Sequence, residues 1–213
     1  MDLFQAAGTA EPLQIGEGAW YFPGFLAGDA AILVATTLEI SRQAPFRIMK
    51  TPGGRLMSAE LTGCGQYSWV SDARGYRYSA TDPQTGRPWP EMPESFRDLA
   101  QQAARQAGYQ EFDPDVCLIN RYRPGARMGL HQDRDEAEYR WPVVSFSLGL
   151  PITFLWGGRT RKGSPLRLPL QHGDVVVWGG ADRLRYHGVA PLEPGRHPLT
   201  GGYRFNLTFR RAC

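Results

Sequence analysis

The chain reads as a mainly β protein with flanking helices, a β-sandwich or jelly roll. Three observations predict this. The C-terminal half carries six short runs of β-branched and aromatic residues, each bounded by Gly, Pro or Asp. The runs recur at regular spacing with no helix between them, which argues against strand–helix–strand units. Two amphipathic segments lie upstream, and both would pack on a sheet.

The first helix is expected over Asp29 to Gln43, with apolar Ile32, Leu33, Leu38 and Ile40, and Ala44-Pro45 ends it. The second is expected over Pro93 to Ala107. Pro-Glu opens it, Phe96, Leu99, Ala103 and Ala107 share one side, and Gly108 stops it. Between Arg47 and Pro90 the chain is rich in Gly, Ser, Thr and Pro, with Met57, Trp69, Tyr76, Tyr78 and Trp89 interspersed. Such a stretch is too long and too aromatic for a plain connector. It reads as β-hairpins and loops forming a lid, some of whose aromatics pack a subsidiary core. The strands expected downstream are Val116–Tyr122, Val143–Leu150, Ile152–Trp156, Leu166–Leu170, Asp174–Trp178 and Tyr203–Phe209.

At 213 residues, 42% of them apolar, the chain is long enough for one domain with a sizeable core. No apolar run approaches a membrane span. Met1 to Gln14 lacks the basic flank and apolar stretch of a secretory signal. Cys64, Cys117 and Cys213 are too few and too scattered for a disulfide framework or zinc cluster, so reduced thiols in a cytoplasm are expected. The net charge of +3 excludes a grossly basic protein. Lysine occurs only as Lys50 and Lys162, and Arg159-Thr160-Arg161-Lys162, with Arg167 beyond it, makes a local basic cluster. Guanidinium groups suit phosphate, although a solvated loop would look the same.

The chemistry is concentrated in His131-Gln132-Asp133, answered by His187. Two imidazoles and one carboxylate can cap one face of an octahedral metal and leave the other open, the pattern of non-haem Fe(II) oxygenases. His187 precedes Gly188 and a Pro-bearing loop, where a strand end can present it. His172-Gly173-Asp174 reads as a turn feeding a strand, and His197 as a surface loop residue. The last strand alternates with period two. Tyr203, Phe205, Leu207 and Phe209 fall on one face, and Arg204, Asn206, Thr208 and Arg210 on the other. A sheet with one wet face would alternate in the same way. Two arginines around an amide also form a cradle for a small dianion, because guanidinium forks pair with carboxylates. Leu118, Asn120 and Tyr122 share one face of their own strand and can add hydrogen bonds to such an anion.

Taken together, Asn120-Arg121-Tyr122, Pro124-Gly125, His131-x-Asp133, Ser147-Leu148-Gly149, His172-Gly173-Asp174 with Trp178-Gly179-Gly180, His187-Gly188 and Arg204-x-Asn206-Leu207-Thr208-Phe209-Arg210 resemble the AlkB family. Its bacterial members are Fe(II)- and 2-oxoglutarate-dependent nucleic-acid demethylases. The resemblance runs from about Pro45 to Arg210, with several independent motifs in order.

The resemblance implies a double-stranded β-helix with an N-terminal nucleotide-recognition lid. It divides the chain into an N-terminal segment with the first helix (1–45), the lid (46–92) and a helix plus catalytic core (93–213). Iron would be held by His131, Asp133 and His187. The distal carboxylate of 2-oxoglutarate would meet Arg204, helped by Tyr122 and Asn206, and its metal-side carboxylate would meet Arg210 and Asn120. Trp69 would stack on a flipped base opposite His131, and Tyr76 and Tyr78 would touch the base or backbone. Asp135 would take the base's exocyclic amine, and Arg161 would contact the strand. The implied reaction is oxidative demethylation of 1-methyladenine or 3-methylcytosine in single-stranded or duplex DNA, or RNA. It consumes O2 and releases formaldehyde, succinate and CO2, as direct repair of alkylation damage by a monomer with no membrane attachment. A related 2-oxoglutarate hydroxylase of another substrate is less compatible with the aromatic lid. A non-catalytic lesion-binding protein would have no use for the iron triad.

Overall fold

A computed structural model describes residues 11–213; the first ten residues of the expected 1–45 segment lie outside it. The described elements in chain order are β1 (Leu13–Gly16), β2 (Ala19–Phe22), α1 (Ala30–Gln43), β3 (Glu60–Gly65), β4 (Ser68–Asp72), β5 (Gly75–Ser79), α2 (Glu94–Gln106), β6 (Val116–Tyr122) and β7 (Met128–His131). They continue with β8 (Val143–Gly149), β9 (Ile152–Trp156), β10 (Leu166–Leu170), β11 (Val175–Trp178), β12 (His187–Val189) and β13 (Arg204–Arg210).

A seven-stranded sheet runs β1-β2-β11-β8-β13-β6-β3, a four-stranded sheet runs β10-β9-β12-β7, and β4-β5 form a separate hairpin. All pairings are antiparallel. Two helices, a large sheet and a smaller sheet make three layers, the jelly roll expected from the sequence. The large sheet buries both faces. On one, Phe146, Leu148, Val175, Val177, Phe205, Leu207 and Phe209 meet Leu33, Val34 and Ile40 of α1 and Phe96, Ala100, Ala103 and Ala104 of α2. On the other, Val143, Val176 and Trp178 meet Ile152, Phe154, Trp156, Leu168 and Leu170 of the small sheet. Such double burial explains why β8 and β11 are buried at every position, with β11 apolar throughout and only Ser145 and Ser147 interrupting β8.

Several expectations need correction. Ile32 and Leu38 are exposed on α1, and Val34 and Ala30 take their places against the sheet. Tyr203 lies one residue ahead of β13 and is exposed, its ring stacked on the Arg121 guanidinium instead of joining the core face. Part of the stretch read as lid is core, since β3 pairs with β6 along its whole length as the edge of the large sheet. The rest behaves as a cap. Trp89, Val70, Met49 and Leu61 form a small cluster of their own, fastened by an Arg47–Asp82 ion pair stacked on Trp89. His197 is half-buried, with its ring 4.3 Å from that of His172.

Candidate active site

The two sheets splay at one end around a cavity of about 610 Å³, roofed by the β4–β5 hairpin. Every residue to which the family resemblance gives a site role lines it: Trp69, Tyr76, Tyr78, Asn120, Tyr122, His131, Asp133, Asp135, Arg161, His187, Arg204, Asn206 and Arg210.

His131 ends β7 and His187 begins β12, and the two are directly paired across the small sheet. Close pairing there needs glycine at 188, where a Cβ would lie 2.5 Å from the Met128 carbonyl oxygen. Asp133 follows two residues after β7. His131 Nε2 is 3.7 Å from its Oδ1, and His187 Nε2 is 3.7 Å from its Oδ2. One donor atom from each residue falls within 4.8 Å of the others. Each imidazole has Nδ1 3.0 Å from a backbone carbonyl, of Gly129 and Arg185 respectively. A carbonyl only accepts, so the proton sits on Nδ1 and Nε2 keeps its lone pair free for a metal.

The electrostatics agree. Burial would raise the Asp133 pKa, but the Arg210 guanidinium outweighs it foremost and holds the carboxyl well below the usual range. Burial, with the nearby His131, pushes His187 down to about 3. An ionised carboxylate and a neutral imidazole are the states metal ligation requires.

Beneath the triad lies the polar face of β13. Arg204 is 1% exposed. It donates to the Leu150 carbonyl at 3.1 Å and to Ser147 Oγ at 2.8 Å, and its Nε has no partner. Among the described residues no carboxylate pairs with it, and burial pushes its pKa down to about 10. Asn120 Oδ1 is likewise buried without a partner. Tyr122 is buried beside Arg204, and Asn206 is held by Ser145 and Phe146. Unpaired buried polar groups are costly, so a cavity built this way fits an anionic ligand. Arg210 differs: its Nε and NH2 donate to Asp133 Oδ2 at 3.1 and 2.7 Å.

At the mouth, Trp69 stacks on Tyr76 with centroids 5.3 Å apart and donates its indole N–H to Asp135 Oδ2 at 2.7 Å. Tyr76 is 47% exposed. Arg161 donates to the Leu130 carbonyl and lies over Tyr186.

The family model of the 2OG-Fe(II) oxygenase superfamily matches residues 18–210. The chain belongs to this superfamily. Within it, the chain is 52% identical over 214 residues to the alpha-ketoglutarate-dependent dioxygenase AlkB of Escherichia coli (strain K12), covering 100% of this chain and 98% of that one. It is therefore a member of the AlkB family of Fe(II)- and 2-oxoglutarate-dependent dioxygenases. A DNA N(6)-methyladenine demethylase, ALKBH1D, of Arabidopsis thaliana is 36% identical over 57% of this chain and 33% of its own length. The solved structure of OsALKBH1 superposes with a TM-score of 0.82 at 29% identity, covering 94% of this chain and all of that one.

The iron and cosubstrate of a 2OG-Fe(II) oxygenase thus have chemically suitable residues here: a carboxylate between two Nε2 lone pairs, and an unpaired guanidinium below them. Two buried residues of this AlkB-family site escaped sequence reasoning. Glu136 accepts from Tyr78, and Arg183 donates to the main-chain oxygens of Asp133 and Trp141. Nothing local signals either one. Glu136 looks like any acidic loop residue, and its pairing with Arg183 spans the intervening strands. No helix among the described residues is long and apolar enough to cross a membrane.

Proposed function

We propose that the protein demethylates N-alkylated bases in nucleic acid, with 1-methyladenine and 3-methylcytosine in DNA as substrates and RNA as a further one. The single observation that carries this reading is the juxtaposition in one cavity. The His131–Asp133–His187 triad and an Arg204 without a carboxylate partner lie in one cavity with an aromatic hairpin that presents Trp69 and Tyr76. The Arabidopsis relative's name adds DNA and demethylation.

Each residue then has a task. His131, Asp133 and His187 hold Fe(II). Arg204 holds the distal carboxylate of 2-oxoglutarate, with Tyr122 and Asn206 beside it, and Arg210 and Asn120 face the metal-side carboxylate. When bound, iron and cosubstrate supply oxidation by O2, converting 2-oxoglutarate to succinate and CO2 while a nitrogen-bound methyl group leaves as formaldehyde. The protein aims the base. Trp69 and His131 sandwich the ring, Tyr76 and Tyr78 touch the nucleotide, and Arg161 meets the strand. Asp135 trades the Trp69 indole N–H for the exocyclic amine and favours a cationic lesion. A methylated Watson–Crick edge cannot pair, so the lesion leaves a duplex at little cost, and single and double strands both qualify. Stacking holds any such base without reading sequence. Free thiols at Cys64, Cys117 and Cys213 suit a cytoplasmic setting. One chain carries every residue assigned a task, which suits action as a monomer.

The test is mass spectrometry of a single-stranded oligonucleotide carrying one 1-methyladenine, incubated with protein, Fe(II), 2-oxoglutarate and O2. Loss of one methylene unit of mass that requires iron, cosubstrate and Asp133 supports the reading. Succinate formed without any mass loss would keep the oxygenase and refute this substrate.

A further inference from the structure

We infer that Glu136 is a positioning residue that locks the substrate hairpin to the metal-side arginines. The inference rests on the proposed role of the hairpin as a base platform and adds the device that keeps it seated.

The Glu136 side chain is 1% exposed, and a charge so placed must be paired. It has three partners. Arg183 NH2 lies 3.1 Å from Oε2, Arg210 Nε lies 3.3 Å from Oε1, and the Tyr78 hydroxyl donates to Oε1 at 2.8 Å. Both arginines also grip Asp133: Arg210 binds its carboxylate, and Arg183 donates to its main-chain oxygen at 2.8 Å. Two guanidiniums and two carboxylates therefore balance in one buried network. Without Glu136, both cations would have Asp133 alone to share.

The third partner leads out of this network. Tyr78 belongs to β5, in a hairpin paired with neither sheet, and a lone two-stranded hairpin is only marginally stable. Directly across from Tyr78 in that hairpin stands Trp69. Trp69 bonds Asp135 and Tyr78 bonds Glu136, so two facing aromatics are tied to two consecutive carboxylates. The ties differ in kind. Asp135 is exposed, so water or a base can replace the indole N–H there. Glu136 is buried and its bond to Tyr78 is charge-assisted, so losing it strands polar groups away from water. The Asp135 tie exchanges when a base enters, and the Glu136 tie keeps the hairpin docked while it does.

Hydrogen exchange followed by mass spectrometry on the full-length protein, without substrate, tests this, with peptides from 68–79 compared against 116–122. Glu136→Ala and Tyr78→Phe should each speed exchange in the hairpin by roughly tenfold, the scale of one buried charge-assisted hydrogen bond, and leave 116–122 unaltered. Glu136→Gln, which keeps an acceptor for Tyr78, should restore most of the protection. The double variant Tyr78→Phe/Glu136→Ala should exchange no faster than Glu136→Ala, because both remove the same bond. In turnover, Tyr78→Phe should raise KM for the methylated oligonucleotide about tenfold and lower kcat less than about threefold. Unchanged hairpin exchange in Tyr78→Phe, or additive effects in the double variant, would overturn the proposal. If Glu136→Ala does not fold, Tyr78→Phe and Glu136→Gln carry the test. The exchange arm contains no oligonucleotide, so an inactive wild type would count against the proposed function and leave this inference to be judged separately.

Discussion

Arg204 and Arg210 begin and end the same strand, point into the same cavity and are both buried, yet their surroundings are opposite. Arg210 is saturated. Burial opposes its charge, but Asp133, Tyr78 and Glu136 more than compensate, and its pKa rises above the ordinary value. Arg204 has only neutral partners, and burial dominates. The comparison separates two jobs that look alike in sequence. Arg210 is tied to the carboxylates of Asp133 and Glu136, whatever further contact the proposed cosubstrate adds. Arg204 has no carboxylate beside it among the described residues, and under the proposed function the cosubstrate would supply one.

The hardest way to break this picture is around Asp133. Asp133→Ala removes one of the three proposed metal ligands, and succinate production should fall by at least ~1000-fold, as when one member of a unit is deleted. Retained turnover would remove Asp133 from the metal site. Arg210→Met should destabilise the substrate-free protein by about 3–5 kcal/mol, because it leaves Asp133 and Glu136 close together without their shared cation. Arg204→Met should change the same stability by less than about 1 kcal/mol, since no charge is left behind. Urea unfolding of the two variants checks both values, and equal destabilisation would erase the distinction.

A smaller effect is expected at the mouth. Trp69→Ala should lower kcat/KM for a methylated oligonucleotide by about 10- to 100-fold, the worth of one stacking platform, and affect substrate-free 2-oxoglutarate turnover less. Equal loss in both would make Trp69 structural.

The smallest effect concerns pH at the Arg204 end. His172 Nδ1 accepts the N–H of Gly149, the residue paired with Arg204 across β8 and β13. Burial, then His197, then Arg204 lower the His172 pKa. A group depressed in the fold contributes stability above its unfolded pKa, about 6.5 for histidine, and loses it as the pH falls through the folded value. Thermal midpoints should therefore drop below pH 6.5, and less steeply in His172→Asn, whose amide oxygen can still accept from Gly149. Identical pH profiles for the two proteins would leave the pair without influence.

Much of this arrangement was legible in the sequence, and the exceptions share a cause. Val116–Tyr122, Ile152–Trp156 and Leu166–Leu170 emerge at the expected bounds because β-branched and aromatic runs mark them. β7 and β12, which present His131 and His187, were not expected as strands. They are only four and three residues long and carry Gly129 and Gly188, so no alternation survives. β3 hides for a similar reason. Gly63 stands where a Cβ would lie 2.3 Å from Ser68 Oγ, and close packing there puts a loop-like residue inside a core strand. The polar, cavity-lining face of β13 was readable because alternation is local. Glu136 was not, because its burial depends on Arg183 and Tyr78, both distant in the chain.

The division between the two arginines is tested most directly by calorimetric titration of 2-oxoglutarate, under anaerobic conditions with Mn(II) in place of iron, into wild type and Arg204→Met. Arg204→Met should bind about 100-fold more weakly, the loss of one buried guanidinium–carboxylate pair, with the protein's stability unchanged. Affinity equal to wild type would contradict the account and leave the unpaired Arg204 without a ligand.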